Sequence, residues 1–153
     1  MAELALLCFD GSEHAAEAIW RAGALLPRHD ALVLSVATPA NDELPLDPLS
    51  DLVGRLSGLY RDWDEAVAEL AERQARRGCE LAAEAGLHAR PLTAVGKPAA
   101  TILRVVDEHD VAVIVLGAGT HRPLGGLLGS VVARVVHETD RPVLVIPARP
   151  ERG

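Results

Sequence analysis

The sequence predicts an α/β domain built on an open, doubly wound parallel sheet of five strands with helices on both faces. Two observations carry this. Short, almost unbroken runs of Leu, Val, Ile and Ala alternate with stretches whose apolar residues recur at helical spacing, in the order β-α-β-α-β-α-β-α-β. Such continuous runs mark strands covered on both faces, the condition of a parallel sheet. The connections are short, as they are where helices cross between parallel strands.

Leu4-Ala5-Leu6-Leu7-Cys8-Phe9 is the first strand, stopped by Asp10-Gly11-Ser12. Ser12 is a good N-cap, and Ala15, Ala18, Ile19, Ala22 and Leu26 follow on one helical face. Ala31 to Ala37 is the second strand. Thr38 to Pro48 holds three prolines and several acidic residues and reads as an exposed loop. From Leu49 the pattern is helical, with a main helix from about Leu59 to Ala85 and a less regular piece before it. Leu52, Leu56, Leu59, Trp63, Val67, Leu70 and Leu81 mark its apolar side; Trp20 and Trp63 read as packing residues, with packing against a partner as the alternative for Trp63. Gly86 suits the helix end. Leu87 to Val95 is a weaker strand, which Pro91 assigns to an edge. Pro98 opens a helix with Ala99, Ile102, Leu103 and Val106 on its face. Val111 to Leu116 is the most apolar strand, Ser130 caps the next helix, and Val143-Leu144-Val145-Ile146 is the last strand.

Composition narrows what such a domain does. At 153 residues the chain fits one domain, residues 1–148, followed by a frayed tail at 149–153. Aromatics make up only 3%, so the core is built from aliphatic side chains. A net charge of −7 lacks the basic footprint of a nucleic-acid binder and the polybasic patch of a membrane-surface protein. Glu3 and Asp10 interrupt the first apolar run, so it does not read as a signal peptide. Cys8 and Cys79 read as free thiols of a reducing compartment, and the cytoplasm is the expected location.

In a doubly wound sheet, ligands sit at the carboxyl ends of the strands. The stretch Leu116 to Ser130 leaves the most apolar strand, passes five glycines and enters a helix. Glycines let backbone amides approach an anion, and a helix start offers unpaired donors, here Ser130 and Val131. His121 or Arg122 adds positive charge. Two readings stand: a phosphate cradle, or a long loop whose glycines only serve turns. Asp10 has two readings as well, a carboxylate that accepts from a base or ribose, or plain turn chemistry. The six histidines are scattered, without metal-ligand spacing, and no Ser/His/Asp arrangement is argued.

Three stretches together resemble the universal stress protein family. Leu6 to Ala15, with Asp10-Gly11-Ser12 inside it, resembles the opening of those domains. Val95-Gly96-Lys97-Pro98 to Leu103 matches their Gly-x-Pro helix entry. The glycine loop, Gly129-Ser130-Val131 and Arg141 to Pro147 resemble their closing half. The likeness covers nearly the whole chain, with Thr38 to Leu59 the least informative part. It implies the sheet order 3-2-1-4-5. ATP-binding members carry glycine, two residues, glycine, nine residues, then Gly-Ser/Thr. Gly119, nine residues and Gly129-Ser130 match the second half, but Gly117 lies one residue too close to Gly119.

By position, Asp10 resembles the residue contacting the nucleoside, and Cys8 and Val36 resemble residues lining the adenine and ribose pocket. Gly117, Gly119, Gly129, Ser130 and Val131 resemble the phosphate-contacting set. The likeness also implies a homodimer paired through the last strand, Val143 to Ile146. A bare apolar edge there is an aggregation hazard, so two-fold pairing is the physical expectation too. The resulting expectation is a cytoplasmic stress-response regulatory domain binding ATP, with or without magnesium, or a related adenine nucleotide. A nucleotide-free dimeric interaction module of the same fold is the alternative, and a slow ATPase the third reading.

Overall fold

The computed structural model describes residues 3–40, 47–118 and 129–147. Its elements are β1 (Leu4–Cys8), α1 (Glu13–Leu25), β2 (Asp30–Ala37), α2 (Pro48–Leu56), α3 (Leu59–Glu84), β3 (His88–Val95), α4 (Pro98–Glu108), β4 (Val113–Gly117), α5 (Ser130–Glu138) and β5 (Val143–Ile146). The sheet order is β3-β2-β1-β4-β5, and every pairing is parallel. β3, with its Pro91, and β5 lie at the two edges, as expected. No helix among the described residues is long and apolar enough to cross a membrane.

Side chains alternate along each strand, so the sheet has two cores. On one face Ala5, Leu7, Phe9, Val33 and Val115 pack against α1 and the later part of α3. On the other Leu6, Leu32, Leu34, Ile114 and Leu116 pack against α4 and α5. β1 is buried on both faces between β2 and β4, and the two cores meet through it.

Local chemistry accounts for the boundaries. Ser12 caps α1 by accepting from the Ala15 amide at 3.2 Å. Asp47 caps α2, accepting from the amides of Leu49 and Ser50, and Pro48 fills the first helical position. The piece before Leu59 is therefore a regular, capped helix, separated from α3 by Gly58 in the left-handed region. The cap of α5 is Gly129, and Ser130 is the first helical residue rather than the cap. A glycine N-cap offers no side-chain acceptor, so Ser130 is free to turn its hydroxyl elsewhere. β4 begins at Val113 and runs through Gly117, slightly later than the apolar run suggested.

The main correction concerns α3. The side expected to be core is largely exposed: Leu52, Leu56, Leu59, Trp63 and Leu70 face solvent, and Trp20 does so on α1. The buried residues of α3 are Ala71, Ala75, Gly78 and Ala82. Small residues let the helix axis come down close on β1 and β2. At Gly78 an added Cβ would lie 2.5 Å from Val33 Cγ1 and 3.0 Å from Phe9 Cδ1. Gly78→Ala is therefore expected to lower stability, although alanine is the better helix former by about 1 kcal/mol. Overpacking costs about 1–3 kcal/mol and outweighs that gain. Urea unfolding of the two proteins measures it; a higher midpoint for Gly78→Ala would contradict the packing account.

Candidate functional site

β1 and β4 are neighbours whose following helices lie on opposite faces of the sheet, so a crevice opens beyond their carboxyl ends. A pocket of about 490 Å3 occupies it, within the range of small-molecule sites. Of the residues expected from the sequence, Cys8, Asp10, Val36, Gly117, Gly129, Ser130 and Val131 all line this pocket. Gly119, His121 and Arg122 lie outside the described residues.

Each wall has a cause. The end of β1 is pinned by the Phe9 amide, which donates to the Leu34 carbonyl at 2.9 Å, and by the buried Ser35 hydroxyl, which donates to the Phe9 carbonyl at 2.7 Å. Asp10 follows directly and is exposed to the pocket mouth. Its Oδ1 accepts from the Ser12 amide at 3.0 Å and from the Ser12 hydroxyl. The turn chemistry is thus real, and it occupies one carboxylate oxygen; among the described residues Oδ2 accepts nothing. Gly11, at φ +83°, makes the turn possible.

On the facing wall, β4 ends at Gly117, where there is no room for a side chain. A Cβ there would lie 2.9 Å from the backbone oxygen of His14 in α1. The Ala118 amide continues the ladder, donating to the Ile146 carbonyl at 2.9 Å. α5 then starts at the rim without any side-chain cap, leaving first-turn amides and the Ser130 hydroxyl beside the pocket. The partial positive charge of this helix start and the Asp10 carboxylate share the same pocket.

The inner wall is apolar, made by Cys8, Leu34, Val36, Ile102 and Val132. Burial, and then the Asp10 carboxylate, push the Cys8 thiol up to about 12, so it lines the pocket as a neutral, weakly polar group. Sequence reasoning missed three other neighbours. His14, in the first turn of α1, and Pro98 at the start of α4 both reach the pocket. Gln74 of α3 does so too, and its Nε2 donates to the Asp10 carbonyl at 2.9 Å. Gln74 is the chain's one glutamine, but nothing in its spacing marks it as a pocket residue.

This arrangement defines an open α/β domain with a ligand pocket at its topological switch point. The chain belongs to the universal stress protein family, whose model matches residues 1–147. Solved structures of the same fold include the universal stress protein UspA from Lactobacillus plantarum, at 24% identity and TM-score 0.64 over 94% of this chain and 97% of that one. A universal stress protein in complex with cAMP is 22% identical, with TM-score 0.66 over 94% and 96% of the two chains. The universal stress protein from Archaeoglobus fulgidus in complex with dAMP is 16% identical, with TM-score 0.61 over 95% and 97%. A search of curated proteins returned no match.

The raised Cys8 thiol has a consequence for stability. Its folded value, about 12, lies above the ordinary 9.0, so the unfolded chain loses this proton first as pH rises. The stabilisation is complete below pH 9.0 and is lost progressively towards about pH 12. Chemical unfolding across that window is expected to give a flatter pH dependence for Cys8→Ala than for the parent chain; equal slopes would contradict a buried thiol.

Proposed function

We propose that this chain is a cytoplasmic stress-response regulatory domain that binds an adenine nucleotide, ATP foremost, in the rim pocket and carries out no committed reaction. One observation carries the reading: seven residues singled out from the sequence line a single pocket at the switch point. The chemistry of the walls matches the parts of a nucleotide. The apolar side formed by Cys8, Val36 and Ile102 accepts the face of a base. Asp10, with Oδ2 open, accepts a hydrogen bond from a ribose hydroxyl. The uncapped start of α5, with Ser130 and Val131, accepts phosphate oxygens. Repulsion from Asp10 sets the direction, keeping phosphates on the α5 side. Gly117 lets backbone come close to them; Gly119, His121 and Arg122, which the sequence also assigns to the phosphates, lie outside the described residues. Magnesium would be held by the phosphates more than by protein. The cAMP and dAMP complexes of two family structures support the adenine class without selecting ATP.

Calorimetric titration tests this directly. ATP with magnesium is expected to bind, and Asp10→Asn to weaken it by about 10- to 100-fold, the worth of one hydrogen bond to a charged group. No heat at millimolar ATP would overturn the reading. It would favour the nucleotide-free interaction module, which the single-residue shortening between Gly117 and Gly119 already motivates.

The same reading includes a homodimer through β5. Ile114 donates to the Pro142 carbonyl and Ala118 to the Ile146 carbonyl, so the alternate residues Val143 and Val145 turn their backbone groups to the open edge. Val145→Pro removes an outward amide and leaves the ladder to β4 intact. Sedimentation is expected to turn from dimer to monomer in this variant; an unchanged dimer would exclude pairing through this edge.

A further inference from the structure

Away from the rim, α2 and the start of α3 form a second concave surface that the nucleotide reading does not use. α2 exposes Leu49, Leu52, Val53 and Leu56, the i, i+3, i+4, i+7 spacing of one helix face. Leu49 is 70% and Leu56 79% exposed. Leu59 and Trp63 extend the face onto α3, and a groove of about 520 Å3 lies between the two helices. An exposed apolar face of this extent marks an interaction site.

The groove is braced in its shape. Gly54 has no Cβ where one would lie 2.6 Å from the Tyr60 ring, so the two helices close on that ring. The Tyr60 hydroxyl donates to Asp51 Oδ1 at 2.9 Å, and Arg55 Nε donates to Asp51 Oδ2 at 2.9 Å. Trp63 Nε1 donates to the Thr38 carbonyl at 3.4 Å. The chain has only two Trp, one Tyr and one Phe, and two of these four line this groove. Large aromatics in a braced pocket are the usual anchors of an interface.

Charge selects the occupant. Residues 47–72 hold seven acidic and two basic side chains. Both arginines are taken up by pairs on their own helices, Arg55 with Asp51 and Arg61 with Glu65. Asp62, Asp64, Glu69 and Glu72 remain exposed. A second copy on the same face would bring together two surfaces of the same net negative charge, which disfavours self-association through it. An anionic lipid surface meets the same repulsion. We propose that the α2–α3 groove docks a basic amphipathic helix of a partner protein, with its apolar stripe in the groove and its Lys and Arg flanks along the acidic rim.

The test uses the full chain and a fluorescein-labelled synthetic helix with Leu at i, i+3, i+4, i+7 positions and Lys elsewhere. Anisotropy is expected to report binding that weakens with salt, and Leu56→Asp is expected to weaken it by about tenfold or more. Leu56 is so exposed that this variant should fold, which circular dichroism checks. In a Trp20→Phe background, Trp63 emission is expected to shift to the blue with this peptide. It is expected not to shift with a Leu/Glu peptide of the same spacing or with a Leu/Lys peptide lacking an apolar face. Unchanged binding by a folded Leu56→Asp variant, or equal binding of the Leu/Glu peptide, would overturn the proposal. A self-associated state dispersed by Leu56→Asp would assign the face to a second copy. Binding to phosphatidylglycerol vesicles that Leu56→Asp abolishes would assign it to lipid. Either result would overturn the proposal too.

Discussion

Burial of β1 on both faces is the constraint from which the rest of the molecule follows. Ala5 and Leu7 point into one core and Leu6 into the other, and parallel strands flank β1 on each side. Parallel neighbours need crossover helices, and those crossovers keep one hand. The crossover from β1 to β2 puts α1 on one face, while the crossover from β3 to β4 puts α4 on the other. The two paths part at β1 and β4, and their parting leaves the rim pocket. The pocket is therefore a product of topology, and the side chains at the strand ends only give it chemistry.

How tightly the halves close there is set by backbone contacts. Gly117 allows the carbonyl of His14 to approach the end of β4, and the Ser35 hydroxyl holds the end of β1 from below. The Asp10 carboxylate and the start of α5 both line the opening. A carboxylate and a helix start lining one pocket give a ligand a direction as well as a place.

Much of this was legible in the sequence because buried parallel strands write themselves as apolar runs, and because Ser12, Pro91 and Pro98 act through local backbone chemistry. Asp10, Val36, Gly117, Gly129, Ser130 and Val131 were legible because they sit at strand ends or at a helix start, and Cys8 only through the resemblance to the family. The apolar face shared by α2 and α3 was not. Leu56, Leu59 and Trp63 have the composition of a core stripe, and hydrophobic spacing cannot tell a stripe that packs inward from one left for a partner. The real inner stripe of Ala71, Ala75, Gly78 and Ala82 works by being small, and smallness carries little hydrophobic signal. Gln74 was illegible for another reason: its role depends on a carbonyl 64 positions earlier in the chain. Ser130 was misread as a cap because serine at a helix start usually is one, whereas Gly129 already stands there.

One helix thus links two surfaces. α3 begins at the aromatic groove and, further along, holds the backbone of Asp10 through Gln74. The function proposed for the chain rests on adenine-nucleotide binding in the rim pocket. Amide spectra of nitrogen-15-labelled chain during an ATP titration test it most directly. The account predicts saturable shifts at Asp10, Val36, Gly117, Ser130 and Val131, with the α2 amides unmoved. Saturable shifts confined to α2 and the start of α3, or none at all at millimolar nucleotide, would contradict it.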